Sequence, residues 1–322
     1  MVATVVMETP LIVLVGPTAS GKTSLAIRLA EEFGGEIVSC DSVAVYREME
    51  IGTAKPSVEE RAMVPHHLID VVWPDEACTA GDYSRLARES LAGIVSRGHV
   101  PIVAGGTGLY LRALIEGLFP APAPQPGLRE RLRATAAKRG AEYLHRVLRR
   151  MDTVAAAAIH PNDVPKVVRA IEVNLAAKEP LTTQWEKGRD ALTGYRILKL
   201  GLEPERTRLY ERINLRAAEM FERGLIEETE RLVERYGFEC RPLTSLGYAE
   251  AVAVLRGECS REEAVLRAQQ GHRNYAKRQG TWFRKEREMQ WLRGCGGDAE
   301  VVAEARDLVL RHLEGSSAIE PG

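Results

Sequence analysis

The chain has 322 residues, of which 45% are apolar and 28% charged, and its formal net charge is −1. That length suffices for roughly two domains. The near-neutral balance excludes a polycation that binds nucleic acid through its overall charge, so any nucleic-acid site must be a local basic patch. The five cysteines are scattered, which argues against a disulfide framework and against a zinc module.

Targeting and membrane segments are not predicted. The first ten residues lack a basic segment followed by an apolar stretch of signal length, and no run approaches the ~18 apolar residues of a membrane span. We therefore expect a cytoplasmic protein with no membrane segment. No feature of the sequence requires more than a monomer, and we expect a monomer.

Strand and helix patterns alternate through the first 118 residues. Short apolar or alternating segments predict strands over Leu11–Val15, Glu36–Cys40 and Val100–Ala104, and His66–Val72 is either a third strand or a connection. Amphipathic stretches predict helices over Thr23–Phe33 and Tyr83–Ser96. This alternation is typical of an α/β fold, in which helices flank a parallel sheet and ligands bind at the carboxyl ends of the strands.

The pattern changes after residue 118. Four prolines within residues 119–127 predict a stiff connector. Leu128–Ala177 is helical in pattern and rich in Arg and Ala, and Tyr195–Leu202 then alternates like a strand. We predict a core domain made of residues 1–118 and 200–322, the second part with C-terminal helices, and an all-helical insertion over residues 119–199.

One loop fits the phosphate-binding motif G-x-x-x-x-G-K-[ST], and it follows a predicted strand and opens a predicted helix. Its residues are Gly16, Pro17, Thr18, Ala19, Ser20, Gly21, Lys22 and Thr23. The glycines let backbone N–H groups face phosphate oxygens, and the helix N-terminus adds a favourable dipole. Lys22 supplies a positive charge, and the Thr23 hydroxyl is the predicted protein ligand of a Mg²⁺ ion.

The motif alone leaves the phosphate carrier open, and a kinase that uses ATP is the first alternative. Such enzymes place a magnesium-binding Asp at a strand end, and Asp70 is the best candidate in this sequence. The adjacent histidines at 66 and 67 point to different faces of an extended segment, so we assign them a structural role instead of a metal-binding one.

Further motifs follow the loop in a fixed order. They are Asp41-Ser42, Tyr46, Ile51–Pro56, His67–Asp70, Gly105–Tyr110, His160–Asp163, Arg169–Glu172, Gly247-Tyr248, Ala276–Gln279 and Thr281–Arg284. The ordered set resembles the family of bacterial tRNA dimethylallyltransferases over nearly the whole chain. Two positions depart from the family pattern: Ala44 stands where members often carry Gln, and Lys166 where they commonly carry Arg.

The resemblance implies a P-loop NTPase-like core whose loop holds the diphosphate of dimethylallyl diphosphate, with Mg²⁺. It implies transfer of the dimethylallyl group to N6 of the adenosine on the 3′ side of the anticodon, with release of diphosphate. Asp41 would be the general base, although an Asp at that position also caps turns. Thr107 would bind the bridging oxygen, although it also fits a turn or helix cap, and Arg216, otherwise a helix-surface arginine, would assist with the diphosphate.

The resemblance also implies tRNA contacts from both predicted domains, which together would hold the anticodon stem-loop. The implied contacts are Asp41, Ser42, Val43, Ala44, Thr107, Arg129, Pro165, Lys166, Arg169, Ser245, Leu246, Gly247, Tyr248, Lys277, Arg278 and Gln279. Two alternatives to this function remain besides the kinase. One is a prenyltransferase that acts on free adenine nucleotides, and the other is a non-catalytic P-loop module that binds RNA.

Overall fold

The computed structural model describes residues 8–315 of the chain. They form two compact units: one contains the described residues up to Ile115 and from Leu192 onward, and the other is Glu116–Ala191. Residues 1–7 and 316–322 lie outside the described part of the chain. Most of the first ten residues, for which no leader is expected, are among them. Across residues 8–315, no helix combines the length and the apolar character needed to cross a membrane.

A parallel sheet forms the centre of the first unit. Its strands within the described residues are β1 (Thr9–Val15), β2 (Gly35–Cys40), β3 (His66–His67), β4 (Val100–Gly105), β5 (Tyr195–Leu202) and β6 (Met289–Leu292). Their order across the sheet is β3-β2-β4-β1-β5-β6, and every neighbouring pair is parallel. The predicted α/β fold with a parallel sheet is therefore confirmed.

Helices connect and cover these strands. In chain order they are α1 (Lys22–Phe33), α2 (Val58–Met63), α3 (Ala80–Ser96), α4 (Gly108–Ile115), α10 (Arg206–Glu222), α11 (Leu225–Tyr236), α12 (Tyr248–Leu255), α13 (Arg261–Phe283) and α14 (Ala299–Glu314), with a 3₁₀ turn at Arg241–Thr244. The labels α5 to α9 belong to the second unit, described below.

Both faces of the sheet are buried, which explains why β1 reads as a continuous apolar run. Leu11, Val13 and Val15 pack into one cluster with α3 and α4. Ile12 and Leu14, on the opposite face, pack with α1 and α14. Each such side chain is fully or almost fully buried, and burial of one contributes about 1.5–3 kcal/mol.

The register of the sheet brings the predicted motifs to one edge. Gly105 at the end of β4 pairs with Val15 on one side and with Cys40 on the other. The phosphate loop, Asp41 and the turn that carries Thr107 each begin directly after one of these three residues. They therefore emerge side by side, as expected for the carboxyl ends of neighbouring parallel strands.

The second unit is all-helical. It contains α5 (Pro126–Arg139), α6 (Ala141–Met151), α7 (Thr153–Ala158), α8 (Val164–Ala177) and α9 (Leu181–Glu186). Leu144 and Leu148 of α6 pack against Val167, Val168 and Ile171 of α8 to form its core.

The bounds of the helical unit differ from the predicted 119–199. The unit begins at Glu116 and ends at Ala191. The later predicted end is wrong because Tyr195–Lys199 belongs to β5, whose residues pair with β1 from Tyr195 onward. These residues are thus part of the sheet and not of the insertion.

Candidate active site

The phosphate loop runs from the end of β1 into the first turn of α1. Gly21 precedes the helix with φ of 88°, a left-handed conformation that favours glycine. A Cβ atom at this position would also lie 2.9 Å from the backbone nitrogen of Gly296. Because the first N–H groups of a helix have no partner within it, they are available to an anion in front of the loop.

Two cations, Lys22 and Arg216, interact with each other in the site, and the carboxylate of Asp41 acts on both. Lys22 donates from Nζ to the Pro17 carbonyl at 2.7 Å. Desolvation, with a contribution from the positive charge of Arg216, lowers the pKa of Lys22 to about 8. Desolvation likewise lowers the pKa of Arg216, whose guanidinium lies 3.4 Å from the Thr18 hydroxyl. Such a pair favours binding of a multiply charged anion.

Asp41 follows β2 directly and caps the turn after it. Its Oδ1 accepts hydrogen bonds from the N–H groups of Val43 at 2.9 Å and Ala44 at 3.3 Å. No protein hydrogen bond to Oδ2 is present within residues 8–315, and the side chain lines the cavity described below. Asp41 therefore has the turn-capping role and also presents a carboxylate to the cavity.

Thr107 joins the turn after β4 to the turn after β2. The N–H groups of Gly106 and Thr107 both donate to the Cys40 carbonyl, at 3.2 and 3.1 Å. The Thr107 hydroxyl accepts a hydrogen bond from the Ser42 N–H at 3.0 Å and donates to the Ser42 hydroxyl at 3.3 Å. The hydroxyl is thus held beside Asp41 by the backbone of the neighbouring residue.

A cavity of about 450 Å³ is lined by Lys22, Asp41 and Arg216, and Gly106 lines it from the turn that carries Thr107. Many predicted site residues line it: Thr18, Lys22, Thr23, Asp41, Ser42, Val43, Ala44, Arg216, Ser245, Leu246, Arg278 and Gln279. Gly16, Pro17, Ala19, Ser20 and Gly21 are not among its lining residues. Ser20 in particular is fully buried, and its hydroxyl has no partner among the described residues.

The sequence did not predict that three polar side chains of α13 line the cavity. His272, Tyr275 and Gln279 follow one another at spacings of three and four, so they share one helix face, and all three line the cavity. Burial raises the pKa of Tyr275 to about 12, against the effect of a hydrogen bond with Thr107. The helical spacing of these polar residues was the signal that could have revealed them.

Several predicted tRNA contacts have other partners in the structure. Tyr248 is fully buried, and its hydroxyl donates to Glu228 at 2.5 Å, so the structure does not favour a direct contact with RNA. Gly247 is buried at the N-terminus of α12. Gln279 is 6% exposed and turned toward the phosphate loop. Lys277 and Arg278 remain exposed on the same helix.

The predicted tRNA contacts of the helical unit also include both residues with partners inside the protein and residues exposed at its surface. Arg129 and Arg169 both bind the carboxylate of Glu172, which is completely buried. Loss of either arginine would leave this buried carboxylate less well compensated and would destabilise the unit. Pro165 and Lys166 are exposed in the first turn of α8, where Lys166 pairs with Asp163.

The other metal-ligand candidates considered from the sequence, Asp70 and the histidines at 66 and 67, contact neighbouring groups of the protein. Asp70 accepts hydrogen bonds from Lys55 at 2.5 Å and Arg61 at 2.7 Å. His67 donates to Glu36 at 2.6 Å. Nδ1 of His66 lies 2.9 Å from the Val64 carbonyl, and its Nε2 has no partner among the described residues. Among residues 8–315, no group of three or more His, Cys, Asp or Glu side chains is arranged to hold a metal ion.

The sheet order, the loop and the cationic cavity together define a P-loop α/β protein with a site for a phosphate-bearing substrate. Comparison with known proteins specifies it further. The model of the IPP transferase family matches residues 44–286. The chain belongs to the IPP transferase family.

Individual relatives agree with the family match. The chain is 62% identical over 94% of its length to the tRNA dimethylallyltransferase of Koribacter versatilis, of which 99% is covered. It is 53% identical, over the same share of its length, to the tRNA dimethylallyltransferase of Solibacter usitatus, again with 99% covered. The family resemblance read from the motifs is thereby confirmed.

Solved structures show the same fold. The tRNA isopentenylpyrophosphate transferase of Bacillus halodurans is 37% identical, with a TM-score of 0.71, and the alignment covers 98% of this chain and 100% of that one. A eukaryotic dimethylallyltransferase acting on tRNA has a TM-score of 0.81 at 25% identity, with 98% of this chain and 81% of that chain covered.

Proposed function

We propose that this chain transfers the dimethylallyl group of dimethylallyl diphosphate to N6 of the adenosine on the 3′ side of the anticodon in tRNA. Diphosphate is released. The observation that carries the proposal is the cavity in which a phosphate loop, two cations and the carboxylate of Asp41 meet. The identification of tRNA as the acceptor rests on the family and on the activity of the relatives.

The donor end of the site acts on the leaving group. When the bond between the prenyl carbon and the bridging oxygen breaks, negative charge grows on the diphosphate. The N–H groups of the loop, Lys22 and Arg216 face that charge in a desolvated wall, where such interactions are strongest. They are in place before the reaction and need no reorganisation during it.

The acceptor end of the site acts on the adenine amine. Its lone pair is delocalised into the ring, so the amine is a poor nucleophile. The carboxylate of Asp41 takes the proton that N6 loses as the new bond to carbon forms. The Val43 and Ala44 N–H groups fix Oδ1 and so orient Oδ2 toward the cavity.

Thr107 assists at the bridging oxygen. Its hydroxyl donates to Ser42 only at 3.3 Å, a long hydrogen bond for two hydroxyls. A diphosphate oxygen can replace that acceptor, while the Ser42 N–H continues to hold the Thr107 oxygen in position. The hydroxyl then stabilises the leaving group directly.

The residues present fit a Mg²⁺ ion that takes most of its ligands from the substrate. Thr23 lines the cavity next to Lys22 and offers a hydroxyl oxygen, a donor that Mg²⁺ accepts. Because Mg²⁺ is commonly bound by few protein groups together with phosphate oxygens and water, the lack of a carboxylate cluster among residues 8–315 is compatible with this site. When bound, the ion would neutralise part of the diphosphate charge.

The target adenosine must leave the base stack of its loop so that its N6 can approach the prenyl carbon. Unstacking costs about a few kcal/mol, which contacts in the pocket and along the backbone offset. Ser42, Val43, Ala44, Ser245 and Leu246 form the wall available to the flipped base.

Exposed residues would bind the surrounding RNA. Lys277 and Arg278 on α13 and Pro165 and Lys166 on α8 lie at the surface and suit contacts with phosphates and riboses. Arg129 and Arg169 would act mainly by holding Glu172 and hence the shape of the helical unit.

An acceptor-competition assay tests the proposal. Purified protein receives Mg²⁺, labelled dimethylallyl diphosphate, tRNA and AMP together. We expect label in tRNA only. Label in AMP and not in tRNA would identify a free-nucleotide prenyltransferase. In a parallel reaction supplied with ATP, rapid hydrolysis of ATP without prenyl transfer would identify the kinase alternative. RNA binding without either reaction would leave only the binding module.

A further inference from the structure

The side-chain amide of Gln279 bridges the two halves of the site. Its Oε1 accepts a hydrogen bond from the Thr18 N–H at 2.8 Å, within the phosphate loop. Its Nε2 donates to the Gly106 carbonyl at 2.9 Å, in the turn that leads to Thr107. One buried amide thus holds the donor loop and the acceptor turn at a fixed separation.

The surrounding structure is built closely around this amide. Gln279 is 6% exposed, and a Cβ atom on Gly106 would lie only 2.2 Å from its Nε2. A side chain at position 106 would therefore displace the amide from its two partners. Without the amide, both of these backbone groups would lose a hydrogen-bond partner, and an unsatisfied buried polar group is destabilising.

The amide also determines which loop N–H groups remain available for substrate. The Thr18 N–H is already used by Gln279, and the Ser20 N–H donates to the Pro17 carbonyl at 3.3 Å. The N–H groups of Ala19, Gly21, Lys22 and Thr23 have no acceptor among the described residues and remain for the diphosphate. A loop that loses its tie at Thr18 can turn other N–H groups inward and misalign this set.

We propose that Gln279 is a positioning residue that sets the geometry of the diphosphate loop relative to the Thr107 turn, and that it does not contact tRNA. This inference rests on the proposed function and deepens it. The oxygen must face the Thr18 N–H and the nitrogen must face the Gly106 carbonyl, so the site requires one acceptor and one donor on the same side chain.

Gln279→Glu separates this role from a general effect on stability. An ionised carboxylate still accepts from the Thr18 N–H but faces the Gly106 carbonyl without a proton to donate. Burial against a carbonyl raises the pKa of such a carboxyl, so lowering the pH restores the donor and makes the side chain equivalent to the amide. Gln279→Met has a similar size and lacks both hydrogen-bonding atoms at every pH.

The experiment measures kcat and KM for both substrates of the full chain between about pH 6 and pH 8.5, each variant relative to the wild type at the same pH. Gln270→Glu is the matched control, because Gln270 is an exposed residue of the same helix. We expect Gln279→Met to raise the KM for dimethylallyl diphosphate or lower kcat at least tenfold at every pH, with the KM for tRNA within about twofold.

Gln279→Glu should show the same defect at pH 8.5 and recover at least fivefold by pH 6, while the control follows the wild type. A pH-independent defect in Gln279→Glu, a defect confined to the KM for tRNA, or wild-type behaviour of both variants would overturn the inference. If Gln279→Met does not fold, the pH response of Gln279→Glu decides alone. Absence of prenyl transfer to tRNA by the wild type would refute the proposed function instead.

Discussion

The Thr107 hydroxyl accepts a hydrogen bond from the backbone N–H of Ser42, at 3.0 Å. This contact ties the turn after β4 to the residue that follows Asp41, so the groups assigned to the leaving group and to the amine are held by one another. Their alignment therefore depends on two short turns at the edge of the sheet.

Thr107→Val tests the hydroxyl while preserving the shape of the side chain. The variant loses the donor to the bridging oxygen and the acceptor for Ser42, so we expect kcat to fall by roughly 100-fold. Thr107→Ser retains the hydroxyl and should keep most of the activity. Steady-state prenylation of tRNA measures both. Equal activities of the two variants would show that the hydroxyl has no role in the reaction.

Asp41→Asn removes the general base with little change in size. We expect turnover to fall by roughly 100- to 10,000-fold, while the Kd for tRNA stays close to that of the wild type. The matched control is Asp75→Asn, because Asp75 is exposed, and it should behave as the wild type. Single-turnover kinetics with prebound tRNA measure the chemical step. A near-normal rate for Asp41→Asn would exclude this carboxylate as the base.

The titration of Lys22 predicts a pH dependence of donor binding. Its pKa of about 8 in the free protein lies below the usual 10.5, and an anion in the site stabilises the protonated form. Above pH 8 a proton must therefore be taken up on binding, and affinity for dimethylallyl diphosphate should fall by up to tenfold per pH unit.

Calorimetry without tRNA measures the affinity for dimethylallyl diphosphate. Repeating it in buffers that differ in ionisation enthalpy measures the number of protons taken up on binding. The ligand's own terminal phosphate is ionised above about pH 7.5, since phosphate monoesters titrate near pH 6, so it contributes little there. Lys22→Arg is the control, because arginine stays charged throughout. An affinity of the wild type that is constant between pH 7 and 9.5 would contradict the prediction.

Glu36 on β2 predicts an acid-dependent stability that is unrelated to catalysis. A hydrogen bond from Arg97, helped by His67 and His99 and opposed by burial, lowers the pKa of Glu36 to about 2 from the usual 4.5. Because the folded-state pKa is the lower one, the stabilisation is complete above about pH 4.5 and disappears as the pH falls toward 2.

Glu36→Gln should lower the free energy of unfolding at pH 7 by about 3 kcal/mol and remove that part of the acid dependence. Glu89→Gln is the control, since the Arg85–Glu89 pair is exposed and such pairs contribute about 0–1 kcal/mol. Urea unfolding at pH 7 and at about pH 3, within the range where Glu36 loses its stabilising effect, measures the difference. Equal stabilities of the two variants would argue against the buried pair.

Much of the fold could be predicted from the sequence because its strands are short apolar runs with clear punctuation. The predicted β5 has the observed bounds, and β1, β2 and β4 differ by one or two residues. β3 was predicted too long. Only His66–His67 is extended, because Leu68 and Asp70 adopt positive φ of 60° and 57° and turn the chain away. β6 was missed, since Met289–Leu292 has no pattern of its own and forms by pairing with β5.

The candidate site could be predicted where its residues lie in one local motif. The loop and the strand ends at Asp41 and Thr107 were located this way. The roles of Gln279 and Tyr248 could not be, because they depend on partners far away in the chain: Gln279 contacts Thr18, and Tyr248 contacts Glu228 and the N–H of Gly52. A motif identifies such residues as important but does not distinguish RNA contact from internal support.

The most direct test of the account is the modified nucleoside itself. Unmodified tRNA with adenosine on the 3′ side of the anticodon is incubated with the protein, Mg²⁺ and dimethylallyl diphosphate, digested, and analysed by mass spectrometry. A parallel tRNA carries guanosine at that position and is otherwise identical. For the proposed transfer to N6, we expect N6-dimethylallyladenosine from the first tRNA and no prenylated nucleoside from the second. Equal prenylation of both, or of neither, would contradict it.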